Sequence, residues 1–463
     1  MKRIIALSSV AILSSGLYAS TDTQTQIDEL KKEIQKLKKD QKRTNMSLSS
    51  VKKATGGDNV KLDIDFRNTF ESLEYKDNKN NIKAENDSLF TSRLFLNMAA
   101  TPMKGLIFKG QLAIYSTWGA HIYDESTGLK DWSASSKPTD TVMRIKEAYF
   151  VYSNSIGSQP ISFSIGRRPS TNGFLANYRE NEDKPSSPLA HITNMEVNGA
   201  MVKLDWGRFI EGAYTKFVYG RAHTGATNGV YGYDGTGGIT PYALDSSTNY
   251  GDDKDVDFFV VPGQAYYNGQ YQIMYEWAHI FNTKGQRFND PSTAKAAAGT
   301  ADLFSVGLKI EGIGDEISDF LDETTFFISG AYTDYNAKSG YQLLGSSNGG
   351  SKNGSSIWTG IIIPDMITDS GKFGFEYNHG SKYWTPMTWA EDTTIGSKIS
   401  VRGQAYEAYW NFDLFGVKYL PSQIRYTYIQ HDYTPNNKCA GWVAPTDADI
   451  TSKNIRLAIT YKY

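Results

Sequence analysis

The chain of 463 residues is nearly neutral, with 48 basic and 50 acidic side chains, so its charge gives no reason to expect nucleic acid as a partner. Its 30 tyrosines, 22 phenylalanines and 42 glycines, against 14 prolines, favour an all-β protein over a helical one. The single cysteine, Cys439, excludes an intrachain disulfide framework and is expected to be an incidental loop thiol.

The N-terminus has the pattern of an export signal. Lys2 and Arg3 precede an apolar run from Ile4 to Leu17, and small residues follow at Ala19. The run is interrupted by serines and is shorter than the roughly 18 to 20 apolar residues that a membrane-spanning helix needs. We predict a signal peptide over residues 1–19.

Residues 20–53 are rich in Lys, Gln, Glu and Asp, and their apolar side chains recur every three or four positions. Such a heptad pattern predicts a short α-helical coiled coil, although an isolated solvated helix would also fit. The predicted core residues are Ile27, Leu30, Ile34, Leu37, Leu48 and Val51. Residues 54–59 then form a linker that breaks the helix.

From residue 60 to 463 the pattern changes to a period of two, which is typical of strands with one apolar and one polar face. On one segment Leu94 and Leu96 alternate with Arg93 and Asn97. A soluble sheet would show the same alternation in any single strand. The number of such segments predicts a transmembrane antiparallel β-barrel of about sixteen strands, within a range of 14 to 18.

The connections between the predicted strands support a barrel that crosses a membrane, because short and long ones alternate, as turns on one side and surface loops on the other would. The long connections are predicted near residues 72–87, 116–141, 169–195, 221–254, 281–301, 336–355, 380–397 and 432–451. Aromatic side chains toward the strand ends are expected to form interfacial girdles on the lipid face. They are Trp206, Trp277, Tyr332, Trp358, Tyr406, Trp410 and Tyr461.

The final strand alternates without interruption and ends on an aromatic residue. Ile455, Leu457 and Ile459 share a face with Tyr461 and Tyr463. This strand resembles the terminal signal that the barrel-assembly machinery of Gram-negative bacteria reads, with Tyr461 and Tyr463 as its aromatic residues. The resemblance implies an outer-membrane location, with both termini and the coiled coil in the periplasm.

Two further segments, KEAYFVY at residues 146–152 and SFSIGRR at residues 162–168, resemble paired wall strands of general bacterial porins. The chain as a whole is similar to an uncharacterised porin-like family with an N-terminal coiled coil. The resemblance implies a water-filled channel for small hydrophilic solutes or ions, and a trimer. The Ile and Leu positions of the heptads by themselves favour two helices.

Porins commonly narrow the pore with an inward loop after the fifth strand, which here would carry the acidic residues Glu180, Glu182 and Asp183. A solvated loop tip is the alternative interpretation. Basic residues on predicted inward faces are the pore-lining candidates Arg93, Lys109, Arg168, Lys203, Lys309, Arg425 and Arg456. They outnumber the inward acids Asp63, Asp65, Glu147, Glu376 and Glu407, so we expect a mild preference for anions.

Two other functions remain open. The coiled coil would reach about 45 Å into the periplasm, which would suit a structural tether to peptidoglycan. An outer-membrane phospholipase would need a Ser and His pair, for which His379 and Ser381 have the spacing but no third member. We expect no enzymatic activity and no cofactor, and the other histidines lack the spacing of metal ligands. Lipid, the assembly machinery and further copies of the chain are the expected partners.

Overall fold

The computed structural model describes residues 60–119, 142–168, 172–182, 184–223, 254–291, 296–314, 317–368, 370–388, 392–435 and 443–463. It also gives the backbone of four short strands, Tyr123–Asp124, Gly128–Leu129, Tyr231–Tyr233 and Ile239–Pro241. The predicted signal peptide, coiled coil and linker, together with Asp183 and Cys439, lie outside the described residues.

Sixteen strands form the wall of the molecule. They are β1 Lys61–Asp77, β2 Ile82–Met103, β3 Leu106–Thr117, β4 Val142–Ile156, β5 Gln159–Arg168, β6 Val197–Asp205, β7 Tyr214–His223, β8 Val256–Tyr267, β9 Tyr271–Arg287, β10 Ala296–Glu311, β11 Thr325–Ala337, β12 Ser351–Pro364, β13 Lys372–Gly380, β14 Gly403–Asp413, β15 Pro421–Tyr433 and β16 Asp447–Lys462.

Each strand pairs antiparallel with the next along the chain, and β1 pairs with β16 to close the sheet. In this closing ladder Phe66 lies opposite Tyr461. Ile64 and Tyr463 exchange two backbone hydrogen bonds of 2.9 Å. The beginning of β1 and the end of β16 therefore meet at one rim of the barrel. The predicted antiparallel barrel is confirmed.

The outer face of the barrel is apolar. Side chains that point away from the axis include Phe66, Phe90, Phe108, Phe304, Ile424 and Ile455, all of them exposed. A closed sheet satisfies its backbone hydrogen bonds internally, so an apolar outer face can contact lipid directly. The barrel is therefore an outer-membrane barrel, as predicted. Among the described residues, no helix is long and apolar enough to cross a membrane.

The barrel has two rims, and the connections between strands differ from one rim to the other. We call the rim at which β1 begins and β16 ends the terminal rim, and the opposite one the loop rim. The terminal-rim turns include residues 104–105, 157–158, 206–213, 268–270, 365–371 and 414–420. The turn at 312–324, which contains the short helix Asp319–Asp322, is also at this rim. It is as long as the loop-rim connection 338–350, so short and long connections do not alternate strictly.

Two predicted long loops are largely strand. Of the predicted loop 281–301, residues 281–287 belong to β9 and residues 296–301 to β10. The other prediction is wrong over most of its length. Residues 72–87 belong to β1 and β2, which continue as a paired ladder from Leu73 opposite Asn86 to Asp77 opposite Ile82. Only residues 78–81 form the turn. The polar residues of this hairpin looked like a loop, but outside the lipid a strand needs no apolar face.

Two connections of the loop rim fold into the barrel instead of lying on the surface. The first inner segment comprises residues 172–182 and 184–196, and includes the helix Ala176–Arg179 and the parallel strands Gly173–Phe174 and Ser186–Leu189. The second inner segment comprises residues 381–388 and 392–402, part of the connection that was predicted to be a surface loop. Leu175, Leu189, Ile192, Trp384 and Ile399 in these segments are fully buried.

Gly354 on β12 marks where the second inner segment meets the wall, and its replacement tests that packing. A Cβ atom at this position would collide with the backbone nitrogen of Trp384. We expect Gly354→Ala to lower the free energy of unfolding by about 1–3 kcal/mol, the usual cost of overpacking. The measurement is urea unfolding in detergent, followed by tryptophan fluorescence.

Gly330→Ala is the matched control, because Gly330 lies on the neighbouring strand β11 and an added Cβ meets no atom within 4 Å. Equal loss of stability in the two variants would contradict the packing of the second inner segment against β12.

Candidate functional site

The two inner segments pair with each other inside the barrel. The Met387 N–H donates a hydrogen bond of 2.9 Å to the carbonyl of Ile192, and the Asn194 N–H donates one of 2.7 Å to the carbonyl of Met387. Thr193 and Met387 thereby form a parallel bridge. The segments thus act as one packed unit and not as two independent loops.

This unit fills one side of the lumen with an apolar core. Inward residues of β8, β10 and β11 pack against it at Phe258, Leu303 and Tyr335. A second cluster joins Leu175 and Ile399 of the inner segments to the inward residues Met274, Phe327, Trp358 and Ile362. The lumen beside β8 to β12 is therefore closed by side-chain packing.

Trp358 belongs to this core and was wrongly predicted to lie in the lipid girdle. Its side chain is fully buried, and its Nε1 donates a hydrogen bond of 2.8 Å to Oε2 of Glu376 inside the barrel. The inward face of β12 is apolar where it packs against the inner segments. The alternation of apolar and polar residues therefore could not show which face of β12 points to the lipid and which to the lumen.

His191 lies in the middle of the same core. Its Nδ1 is 2.8 Å from the Ser329 hydroxyl and its Nε2 is 3.0 Å from the Ser356 hydroxyl. Burial lowers the pKa of His191 to about 3, so the imidazole is neutral at physiological pH. Its function here is to join the first inner segment to β11 and β12.

Lys398 of the second inner segment is held between two wall carboxylates. Its Nζ lies 2.6 Å from Oε2 of Glu376 on β13 and also contacts Oε1 of Glu407 on β14. All three side chains are almost completely buried. Glu407 is also 3.8 Å from Nη1 of Arg179 in the first inner segment. Both inner segments are thus fastened to the wall by buried ion pairs.

On the opposite side the lumen contains a polar cavity of about 510 Å³. Strands β1 to β4 and β16 border it, together with parts of both inner segments. Its lining residues are Arg67, Thr69, Glu71, Thr91, Ser92, Arg93, Tyr115, Ser116, Thr117, Lys146, Glu196, Asp392, Thr393, Thr394 and Arg456. This off-centre cavity is the candidate functional site.

Asp392 of the second inner segment brings the arginines of the cavity together. Its carboxylate lies 2.6 Å from Nη2 of Arg67 and also contacts Nη1 of Arg93, while Nη1 of Arg456 donates to its backbone carbonyl at 2.9 Å. Arg67 and Arg93 lie directly opposite each other on β1 and β2, where like charges repel. Burial opposes ionisation of Asp392, but Arg67 and Arg93 hold the pKa of its carboxyl well below the usual range.

Glu180 of the first inner segment lies beside the same cluster. Its Oε1 is 3.3 Å from Nη1 of Arg425, and its Oε2 is 3.7 Å from Nη1 of Arg67. Burial raises the pKa of Glu180, but the attraction of Arg179, Arg425 and Arg67 outweighs this effect and the pKa falls to about 2. Glu180 is therefore ionised at neutral pH and forms ion pairs with arginines of the wall.

The structure distributes the predicted pore-lining residues over several places. Arg93 and Arg456 line the cavity. Arg425 is buried behind Glu180, and Lys309 is buried 2.8 Å from Glu311. Arg168 borders a separate small cavity of about 30 Å³.

The remaining candidates lie further along the wall. Lys203 is 3.6 Å from Asp205, and Lys109 on β3 pairs in register with Tyr149. In the predicted constriction loop, Glu182 accepts a hydrogen bond of 3.1 Å from Asn172. Burial raises the pKa of the Glu182 carboxyl. The cavity thus receives only some of the predicted residues.

Five charged lining residues were not among the predicted site residues, namely Arg67, Glu71, Lys146, Glu196 and Asp392. Arg67 could have been found, because it alternates with Phe66 and Asn68 on a recognisable strand. Asp392 could not, since it belongs to a polar segment whose inward fold no periodic pattern indicates.

The His379 and Ser381 pair does not form a catalytic arrangement in the structure. The His379 side chain is exposed on the outer face, and the Ser381 hydroxyl accepts a hydrogen bond of 2.9 Å from the Ser355 N–H. Among the described residues, no hydrogen bond joins the two side chains, and no cluster of three His, Cys, Asp or Glu residues is arranged to hold a metal ion.

Lys398 offers a test of the buried ion pairs. We expect Lys398→Met to lower the free energy of unfolding by about 3–5 kcal/mol, because it leaves two buried carboxylates without their shared cation. Adding Glu376→Gln removes one of these charges and should restore part of the loss. Urea unfolding midpoints of the wild type, single and double variants measure both steps. A double variant no more stable than Lys398→Met would contradict the assignment.

Comparison with known proteins gives a family and several similar folds. A family model described as "Protein of unknown function (DUF3373)" matches residues 83–459. No curated protein matches the chain.

Three solved structures are similar at low identity. OprB of Pseudomonas putida is 11% identical to this chain, and the alignment covers 90% of this chain and 96% of OprB with a TM-score of 0.47. An anion-selective porin from Comamonas acidovorans is 12% identical, with coverages of 88% and 99% and a TM-score of 0.48. The outer membrane channel DcaP of Acinetobacter baumannii is 14% identical, with coverages of 88% and 98% and a TM-score of 0.46. These weak likenesses carry no argument about function. The family model, in contrast, spans most of the sequence, and this chain belongs to the DUF3373 family.

Proposed function

We propose that this protein is an outer-membrane channel through which small hydrophilic solutes or ions pass on the side of the lumen bordered by β1 to β4 and β16. The observation that carries the proposal is the cavity of about 510 Å³, which is polar and charged whereas the lumen beside β8 to β12 is packed. One water molecule needs only about 10–15 Å³ on such a measure, so the cavity holds many. The proposal includes no enzymatic step.

The charges of the cavity support a mild preference for anions. Four basic side chains, Arg67, Arg93, Lys146 and Arg456, face three acidic ones, Glu71, Glu196 and Asp392, which leaves an excess of one positive charge. Charged side chains around a narrow aqueous passage select permeants by charge as well as by size. A single excess charge supports a weak selectivity and not an exclusive one.

The first experiment is single-channel recording of the purified full chain in planar bilayers. We expect discrete open levels, and a reversal potential in a salt gradient that shows preference for the anion. The conductance should be well below that of an unobstructed barrel of this strand number, because the inner segments occupy much of the lumen. A folded barrel that never conducts would contradict the channel and favour the structural tether. Cation selectivity would contradict the proposed anion preference but not the proposed channel.

Asp392→Asn provides a sharper test of the same cavity. The change raises the excess from one positive charge to two, and we expect the anion-to-cation permeability ratio to rise roughly fivefold. This corresponds to about 1 kcal/mol for one charge acting over about 10 Å in a partly aqueous medium. Arg93→Gln should move the ratio in the opposite direction. Reversal potentials measure both.

The control is Asp319→Asn, which removes one negative charge from the exposed terminal-rim turn between β10 and β11. Its reversal potential should equal that of the wild type. If Asp392→Asn and Asp319→Asn shift the potential equally, the permeation path does not pass Asp392.

We further propose that the channel self-associates, with a trimer as the assembly that the porin resemblance implies. The two-helix preference of the heptads is the alternative. Mass measurement of the detergent-solubilised protein distinguishes a trimer from a dimer or a monomer.

A further inference from the structure

The apolar outer face has a sharp edge toward the loop rim. Tyr377, Tyr406 and Tyr428 on β13, β14 and β15 form a row, with ring centroids 5.2 and 6.4 Å apart. Immediately beyond this row lie the paired residues Gln404 and Gln430. The tyrosine row therefore marks one interface of the membrane.

The same edge continues on β10 and β11. The exposed residues Phe304 and Tyr332 lie opposite each other. Two positions further toward the loop rim the outward pair is Asp302 and Asp334, which are carboxylates and belong in water. Two separate parts of the wall thus change from apolar to polar outward residues toward the loop rim.

Measured from this edge, β14 alone is too short to supply the full apolar band. The last apolar row on the wall contains Phe373, Trp410 and Phe412, with ring centroids 5.6 and 4.2 Å apart. From Tyr406 to Phe412, β14 advances about 20 Å, or about 15 Å along the membrane normal at a tilt of about 40°. Outer-membrane barrels present an apolar band about 25 Å tall. About 10 Å is missing on this side.

The terminal-rim turns supply apolar side chains at this level. Met366 and Phe415 are each 87% exposed, Ile317 is 76% exposed and Phe209 is 71% exposed. They lie in four different turns, those at 365–371, 414–420, 312–324 and 206–213. Ile210, Ile313, Ile367 and Val417 in the same turns are also exposed. Among the longer terminal-rim turns, exposed apolar residues are the rule.

Described turns at the loop rim have a different composition. Residues 78–81 are polar, and residues 338–350 expose no large apolar side chain, since Leu343 and Leu344 are buried. These polar turns suit water. Among the described loop-rim turns, the exposed large apolar side chains are Trp118 and Phe288, whereas each of the four longer terminal-rim turns exposes at least two.

We propose that the apolar side chains Phe209, Ile317, Met366 and Phe415 of the terminal-rim turns insert into the lipid and complete the apolar band, while exposed charged residues of the same turns, such as Asp319 and Lys418, face the headgroups and water. Their occupant is the acyl-chain region of the adjoining leaflet, because these turns continue the lipid-facing wall and make up its missing height. Contact with lipid removes their apolar side chains from water. The barrel is thus embedded asymmetrically, with the loop rim in water and the apolar tips of the terminal-rim turns in the membrane. This inference does not depend on channel activity.

The test places a fluorescent bimane label on single cysteines of the full chain, after Cys439 has been replaced by Ser. The labelled positions are Met366→Cys and Phe415→Cys, in different turns. Ile424→Cys on the outer face of β15 is the lipid reference, and Lys79→Cys in the exposed loop-rim turn is the water reference. Each variant is reconstituted in phosphatidylcholine vesicles that contain phosphatidylcholine brominated on its acyl chains. Heat-dependent migration in detergent gels verifies that each barrel is folded.

We expect labels at 366 and 415 to be quenched by the brominated lipid as strongly as the label at 424. Iodide should quench them several-fold less than the label at 79. Labels at 366 and 415 that respond to iodide as the label at 79 does, and escape the brominated chains, would overturn the proposal. They would then identify the terminal rim as a water-facing surface or as a site for a protein partner.

Discussion

Pairing of β1 with β16 is the constraint on which the rest of the structure depends. A sheet of this width with two free edges would leave rows of backbone donors and acceptors without partners in lipid, which is prohibitively unfavourable. Closure removes the edges and divides the surroundings into an outer face that contacts lipid and an enclosed lumen. Every later feature, from the apolar belt to the charged cavity, is a consequence of that division.

The lumen of a sixteen-strand barrel is wider than its wall side chains can fill. Here the two inner segments divide it unequally. Where they pack against β8 to β12, inward apolar residues of the wall and of the inner segments form two buried clusters. Toward β1 to β4 their edge is charged, and Asp392 and Glu180 form ion pairs with arginines of the wall. The position of the cavity is therefore decided by which part of the wall the inner segments do not contact.

The sequence allowed the fold to be predicted wherever the two faces of a strand contact different media. Arg93 and Arg456 were placed in the lumen because they alternate with lipid-facing side chains, and both line the cavity. The same reasoning failed for Trp358, since both faces of β12 are apolar there. It also failed at residues 72–87, because this hairpin extends beyond the membrane. Both faces of a strand contact water there, so neither face needs to be apolar. The second inner segment could not be predicted, since its contacts join residues that are distant in the chain and leave no local period.

The contacts of Asp392 also constrain the order of assembly. The second inner segment connects the adjacent strands β13 and β14, whereas Asp392 binds Arg67 and Arg93 near the beginning of the barrel. These ion pairs form only when β1 and β2 have come beside the C-terminal strands, so closure of the wall and docking of the segment are coupled. Contacts between residues so far apart in sequence are slow to form. In an intermediate whose wall is not yet closed, Asp392 of the second inner segment would lack its partners Arg67 and Arg93. Formation of the ladder between β1 and β16 would then complete the wall and the cavity in one step.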